Sequence, residues 1–155
     1  MIHTDKRLRV AKLLLVCLLV FVWGNSLLPG EVSGALSDWV RSLLDAILPG
    51  SAKTAAGRGL LRKIAHFTEF TALGMTLGWI SGMLKKKGYW ALLSGVTVAC
   101  LDEIIQHFVP DRGPSLRDVL IDSCGVLTGL VLLRIGYALL RKLRAKRMDN
   151  GTDAR

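Results

Sequence analysis

Three short groups of polar residues interrupt the apolar stretches of this chain, and their types suit acid/base chemistry and anion binding. Lys63, His66 and Glu69 recur at intervals of three, which on a helix at about 100° per residue places them within an arc of roughly 120°. Asp102, Glu103 and Gln106 form the second group, within about 100° of arc, in the last turns before Pro110. Asp118 and Asp122 open the third group and share a stripe roughly 60° wide with Gly125 and Gly129. Small residues there let a neighbouring helix approach while the carboxylates face it. Glu103, with Asp102 beside it, is the expected general base, and His66 is the second proton carrier. Glu69, Asp118 and Asp122 complete the expected catalytic set. Lys63 and Arg112 are the expected anion holders, Arg through its bidentate fork and Lys as a point charge. Gln106 and Ser115 join them as ligand-binding residues. A divalent ion held chiefly by oxygen, through His66, Glu69, Asp102, Glu103 and Asp122, is a second version of the same site. No HExxH or clustered His spacing supports it, so the expectation is a site with no metal and no cofactor.

Four apolar stretches must position these groups: Val10 to Leu28, Leu60 to Leu84, Tyr89 to Val109 and Asp118 to Leu140. Each is about the 20 residues needed to cross roughly 30 Å of hydrocarbon. Of the 155 residues, 51% are hydrophobic and 21% charged, which excludes a disordered tail and leaves little for a separate soluble domain. The expected fold is therefore an all-α membrane protein, a single domain over residues 1–155 with four transmembrane helices.

Lys and Arg number 21 against 12 Asp and Glu, a net charge of +9. Lys6, Arg7, Arg9 and Lys12 precede the first stretch, Lys85 to Lys87 join the second and third, and Arg141, Lys142, Arg144, Lys146 and Arg147 follow the fourth. This bias predicts a multi-pass plasma-membrane protein with both termini cytoplasmic, and a tail over 141–155 that meets anionic lipid rather than nucleic acid. Arg134 sits close enough to the inner end to snorkel.

Between the first two stretches, Val32, Leu36, Trp39, Val40, Leu43, Leu44 and Ile47 recur at helical spacing opposite Glu31, Ser37, Asp38, Arg41, Ser42 and Asp45. Too short and too charged to span, this segment reads as an outer amphipathic helix lying in the membrane interface and ended by Pro49-Gly50. A signal-peptide reading, with cleavage near Ser33-Gly34-Ala35, competes for the first stretch, whose apolar run is longer than usual for one. Cys17, Cys100 and Cys124 lack CxxC pairing and read as small packing residues.

At these polar groups the chain resembles the VanZ-like family of small bacterial membrane proteins. The resemblance runs through Lys63-Ile-Ala-His66-Phe67-Thr-Glu69-Phe70 with Leu73-Gly74, then Asp102-Glu103-Ile-Ile-Gln106-His-Phe108-Val-Pro110. It continues through Arg112-Gly-Pro-Ser115-Leu-Arg-Asp118-Val-Leu-Ile-Asp122 and Gly125 to Gly129, a core of about residues 60–130. The family commonly reads Pro-Gly-Arg where this chain has Pro110-Asp111-Arg112. The resemblance implies a multi-span fold and a link, through the family's namesake, to teicoplanin-type glycopeptide resistance.

With the anion-holding and acid/base residues at the outer leaflet, the resemblance implies action on an envelope lipid or lipid-linked cell-wall precursor. A non-catalytic binder or scaffold for an envelope enzyme is the alternative. The bland reading is helix glue, with His66 paired to Asp102, Lys63 to Glu103, and Ser115 with Asp118 as a capping box. A dozen polar groups at one depth exceed what glue needs, since interhelical hydrogen bonds are worth only about 1 kcal/mol each. Ser115 as a nucleophile lacks a GxSxG elbow. Oligomeric state is open, because Gly125 and Gly129 suit close packing either within one bundle or between copies.

Overall fold

The computed structural model describes residues 2–47, 56–113 and 115–152. Five helices account for most of them: α1 (Ile2–Ser26), α2 (Gly30–Ile47), α3 (Ala56–Met83), α4 (Gly88–His107) and α5 (Leu116–Thr152). The described part of α2 matches the expected amphipathic helix, and the Pro49-Gly50 stop lies outside the described residues.

Among the described residues, three helices are long and apolar enough to cross a membrane, over Asp5–Ser26, Gly88–His107 and Leu116–Arg147. The expected fourth span, α3, has the length, about 42 Å for 28 residues, but not the continuous apolar run. Its surroundings explain why. α3 packs most extensively against α5, then against α4 and α1, and least against α2, so much of its surface meets protein, where apolar side chains are not required. Thr71 and Thr76 donate their hydroxyls to the carbonyls of Phe67 and Ala72 at 2.7 and 2.9 Å, which satisfies them inside a low-dielectric bundle, and the exposed Thr68 bonds Ile64 O in the same way at 2.8 Å.

Glycines set the closest helix contact. A Cβ on Gly74 would strike the backbone of Val126, one on Gly129 the backbone of Thr71 and Met75, and one on Gly125 the carbonyl oxygen of Phe67 at 2.7 Å. Gly125 and Gly129 are therefore used within the bundle, between α5 and α3.

The core is a plug of Val22, Phe70, Leu73, Ala99 and Val126, all fully buried, with Leu15, Leu19, Trp23 and Leu77 among the residues packed on it. The cysteines are not part of it. Cys17, Cys100 and Cys124 are all exposed, which corrects the packing expectation: the outside of such a bundle is as apolar as its inside, so apolar neighbours in sequence do not distinguish the two.

At one end, Arg7 shares a crevice with Trp79, Met83 and Tyr137, and the positive-φ Lys85 turns the chain from α3 into α4. At the other end, the start of α2 meets the α4–α5 turn, where Gly30 N–H donates to Pro110 O at 3.3 Å. In that turn Asp111 has φ 60°. This left-handed position admits Gly freely and Asp more readily than most residues, which accounts for an acid where the related motif has Gly.

Candidate functional site

A polar layer lies directly above the apolar plug, and helix periodicity builds it. Four plug residues each have a polar residue one helical turn further toward the α4–α5 turn: Val22 and Ser26, Phe70 and His66, Ala99 and Glu103, Val126 and Asp122. A separation of four keeps both members on one face. The helices that bury the plug must therefore bury the polar layer too: Ser26, Asp102 and Asp122 are 0% exposed, Gln106 2% and Glu103 5%.

Gln106 is the hub of this layer. Its Nε2 donates to Asp102 Oδ2 at 2.7 Å and to Ser26 Oγ at 3.2 Å, while its Oε1 accepts from Arg62 Nη2 at 2.8 Å. Because a guanidinium can only donate and a carboxylate only accept, these partners fix which way the amide points. One side chain thus joins α1, α3 and α4. Asn25 Nδ2 donates to Glu69 Oε1 at 3.0 Å, and the Asn25 carbonyl accepts from Arg112 Nη2 at 3.1 Å. Glu103 Oε2 accepts the backbone N–H of Ser115 at 2.6 Å, tying α4 to the start of α5.

His66 meets two carboxylates without bonding to either. Its Nδ1 is 3.9 Å from Asp102 Oδ2 and 3.7 Å from Asp122 Oδ1, beyond hydrogen-bond range. Phe70, four residues on, lies nearly parallel to the imidazole, with planes 14° apart and centroids at 6.5 Å. The three ligand-type atoms of His66, Asp102 and Asp122 all fall within 4.8 Å of one another. Several buried polar atoms here have no partner among the described residues: His66 Nδ1, Glu69 Oε2, Asp102 Oδ1, Glu103 Oε1 and both oxygens of Asp122. Arg112 Nε and Nη1 share that condition. Groups that served only to join helices would be satisfied, since an unpaired buried charge costs several kcal/mol.

Two cavities reach the cluster along neighbouring faces of α3. The larger, about 360 Å³, lies among α1, α2 and α3; Phe21, Leu28, Val40, Leu61 and Ile64 form apolar wall, with Arg62, His66, Glu69 and Arg112 at the polar end. The smaller, about 150 Å³, lies between α3 and α5 and is lined by Arg62, Lys63, His66, Asp118, Ile121 and Asp122. His66 and Arg62 line both. In the turn, burial and the nearby Arg62 charge lower the Arg112 pKa, while Asp102 and Glu103 act to raise it; a guanidinium remains charged under these opposing pulls.

The expected residues therefore converge, with two corrections. His66, Asp102 and Asp122 meet, Gln106 and Glu103 are buried beside them, and Asp118 and Lys63 line the smaller cavity. The Lys63–Glu103 pair of the helix-glue reading does not form among the described residues, and Arg62 takes the inward position instead. The spacing that locates the buried face of α3 is 62, 66, 69, 70 and 73, a helical stripe running on into Phe70 and Leu73; an interval of three from Lys63 drifts off it. The expected capping box is also replaced. Ser115 offers its carbonyl oxygen to Asp118 and Val119 N–H at 2.9 and 3.2 Å, and no side-chain cap is formed by Ser115 among the described residues. Sequence reasoning missed Arg62, Asn25 and Ser26. The signal for the last two is a polar pair closing an otherwise apolar run just before Pro29.

No curated protein and no solved structure matches the chain. The VanZ/LLP1 family model matches residues 12–139, a stretch that contains every residue of the polar layer, and the chain accordingly belongs to the VanZ/LLP1 family.

Proposed function

We propose that this protein is a four-span plasma-membrane protein that takes an anionic envelope lipid, or a lipid-linked cell-wall precursor, from the outer leaflet and acts on its head group. The observation that carries this reading is Arg112, which keeps two buried donors without a hydrogen bond among the described residues on the wall of an apolar cavity large enough for part of a lipid chain. Phe21 and Ile64, 55% and 52% exposed, edge that cavity on the outside of the bundle, so a chain enters sideways from hydrocarbon. Arg62 and Arg112 then hold the phosphate by paired donors, against the cluster of His66 and its carboxylates.

Supporting the fourth span, α3 is longer than the roughly 30 Å hydrocarbon layer and shielded by its neighbours. Basic residues of the α3–α4 turn and of α1 lie at the end away from the cluster. The positive-inside bias assigns that end, and both termini, to the cytoplasm and the cluster to the outer leaflet. Val32, Trp39 and Leu43 of α2 are exposed, whereas Ser33, Ser37 and Val40 line the cavity, as suits a helix lying in the interface over the site. The exposed basic residues Arg141 to Arg147 suit anionic lipid on the inner face at about 1 kcal/mol each.

Binding of full-length protein in detergent to undecaprenyl phosphate, phosphatidylglycerol and phosphatidylcholine, read by native mass spectrometry, tests the reading. Saturable binding of one or both anionic lipids, weakened about tenfold or more by Arg112→Gln, is expected. Equal retention of phosphatidylcholine, or anionic binding indifferent to Arg112→Gln, contradicts it. Turnover of the bound lipid lost in Glu103→Gln separates chemistry from binding alone. Protection of a susceptible strain against teicoplanin by wild type but not Glu103→Gln ties the site to glycopeptide resistance.

A further inference from the structure

The geometry points to a divalent transition-metal site formed by His66, Asp102 and Asp122, with the ion between α3, α4 and α5. The spacing is the first observation. Imidazole Nδ1 stands 3.7 and 3.9 Å from one oxygen of each carboxylate, and all three ligand atoms fall within 4.8 Å of each other. Such separations are too long for hydrogen bonds. They suit atoms that share an ion about 2.1 Å from each, for which neighbouring ligands stand about 3.4 Å apart at a tetrahedral angle.

The second observation is independent of the spacing. Asp122 is wholly buried with neither oxygen accepting a hydrogen bond, and Asp102 Oδ1 and His66 Nδ1 are also buried without a hydrogen bond among the described residues. A neutral imidazole and two carboxylates carry two negative charges, which a divalent cation cancels.

The surroundings match what metal ligands need. Asp102 Oδ2 accepts from Gln106, which is itself held by Arg62 and Ser26, so a hydrogen-bonded outer shell orients that carboxylate. Phe70 lies alongside the imidazole. Three protein ligands leave at least one position open, and the cavity of about 150 Å³ lined by His66 and Asp122 adjoins it, the arrangement of a site that also takes water or a substrate oxygen. One nitrogen with two carboxylates favours zinc or manganese over calcium and magnesium, which prefer all-oxygen shells. The three cysteines are exposed and belong to no such cluster.

Use of the ion on a lipid head group rests on the proposed function, whereas ion binding does not. The test therefore reads the ion alone. Full-length protein purified in detergent, stripped with chelator and given no added lipid, is titrated with Co²⁺ and followed by its visible ligand-field bands, with Zn²⁺ and Mn²⁺ as competitors. Uptake of about one ion per chain is expected, with affinity weakened about tenfold or more in His66→Gln and in Asp122→Asn and unchanged in Thr68→Ala. Asp102→Asn replaces either variant that is not monodisperse and helical. Absence of saturable uptake by folded wild type overturns the inference, as does uptake equal in wild type and the ligand variants. Lipid binding without ion uptake defeats only the metal site; ion uptake without lipid binding defeats only the lipid reading.

Discussion

Gln106 joins three helices through one amide, so its loss should be felt throughout the polar layer. Gln106→Leu keeps the bulk but leaves Arg62 without its acceptor and Asp102 without its donor. Removing partners from buried charged groups costs about 2–4 kcal/mol, and the expected result is a correspondingly lower thermal unfolding midpoint in detergent. An unchanged midpoint would show that the hub carries no weight. Asp111 offers the opposite test. Its φ of 60° carries a penalty of about 1 kcal/mol for a residue with a Cβ, partly offset by the greater freedom of an unfolded glycine. Asp111→Gly should therefore raise stability by up to about 1 kcal/mol, measured by the same unfolding transition. At this scale the sequence was informative about residue type and less so about register. His66, Asp102, Glu103 and Asp122 were identifiable because charge inside an apolar run is costly wherever it falls. Arg62 was passed over for Lys63 because the two adjacent cations differ only by about 100° of rotation, and only the tertiary position of Phe70 and Leu73 decides which faces inward.

Helix-to-helix spacing is set by glycine, which makes the contact of α3 with α5 separable from ordinary packing. A methyl at Gly129 would enter the backbone of Thr71 and Met75, whereas a methyl at Gly136, on the same helix, meets nothing within 4 Å. Gly129→Ala should lower stability by about 1–3 kcal/mol, and Gly136→Ala should leave it equal or raise it by up to about 1 kcal/mol. Equal effects in the two variants, measured by thermal unfolding, would mean that the close approach does not exist. The sequence announced this contact as a stripe of small residues following two carboxylates, but a stripe does not say which helix it meets. It announced α2 by periodicity alone. It gave α3 its position and a length close to the observed one, and a more continuous apolar run than the helix has. The reason is architectural: a helix surrounded by others is relieved of the demand for hydrocarbon-facing residues, and nothing local in its sequence reports how many neighbours it has.

For the whole molecule, the basic end and the polar layer lie at opposite ends of one bundle, so sidedness is a single question. In a variant lacking Cys17, Cys100 and Cys124, a cysteine placed at the exposed Ser42 should react with an impermeant maleimide in intact cells. One placed at the exposed Ala145 should react only after permeabilisation; the reverse pattern would put the cluster on the cytoplasmic face. The larger claim is that the polar layer exists to bind and act, and that its packing role is incidental. Asp122 separates these directly, because a residue kept for stability and one kept against stability respond to neutralisation with opposite signs. The decisive measurement is the thermal unfolding midpoint of chelator-treated Asp122→Asn beside chelator-treated wild type. Neither Asp122 oxygen accepts a hydrogen bond among the described residues, and the only cation-forming group beside it is His66, at 3.7 Å, so removing the carboxylate charge should leave the midpoint equal or higher. A midpoint several degrees lower, at roughly 2–4 °C per kcal/mol for a chain of this size, would mean that Asp122 holds the bundle together and would contradict the account.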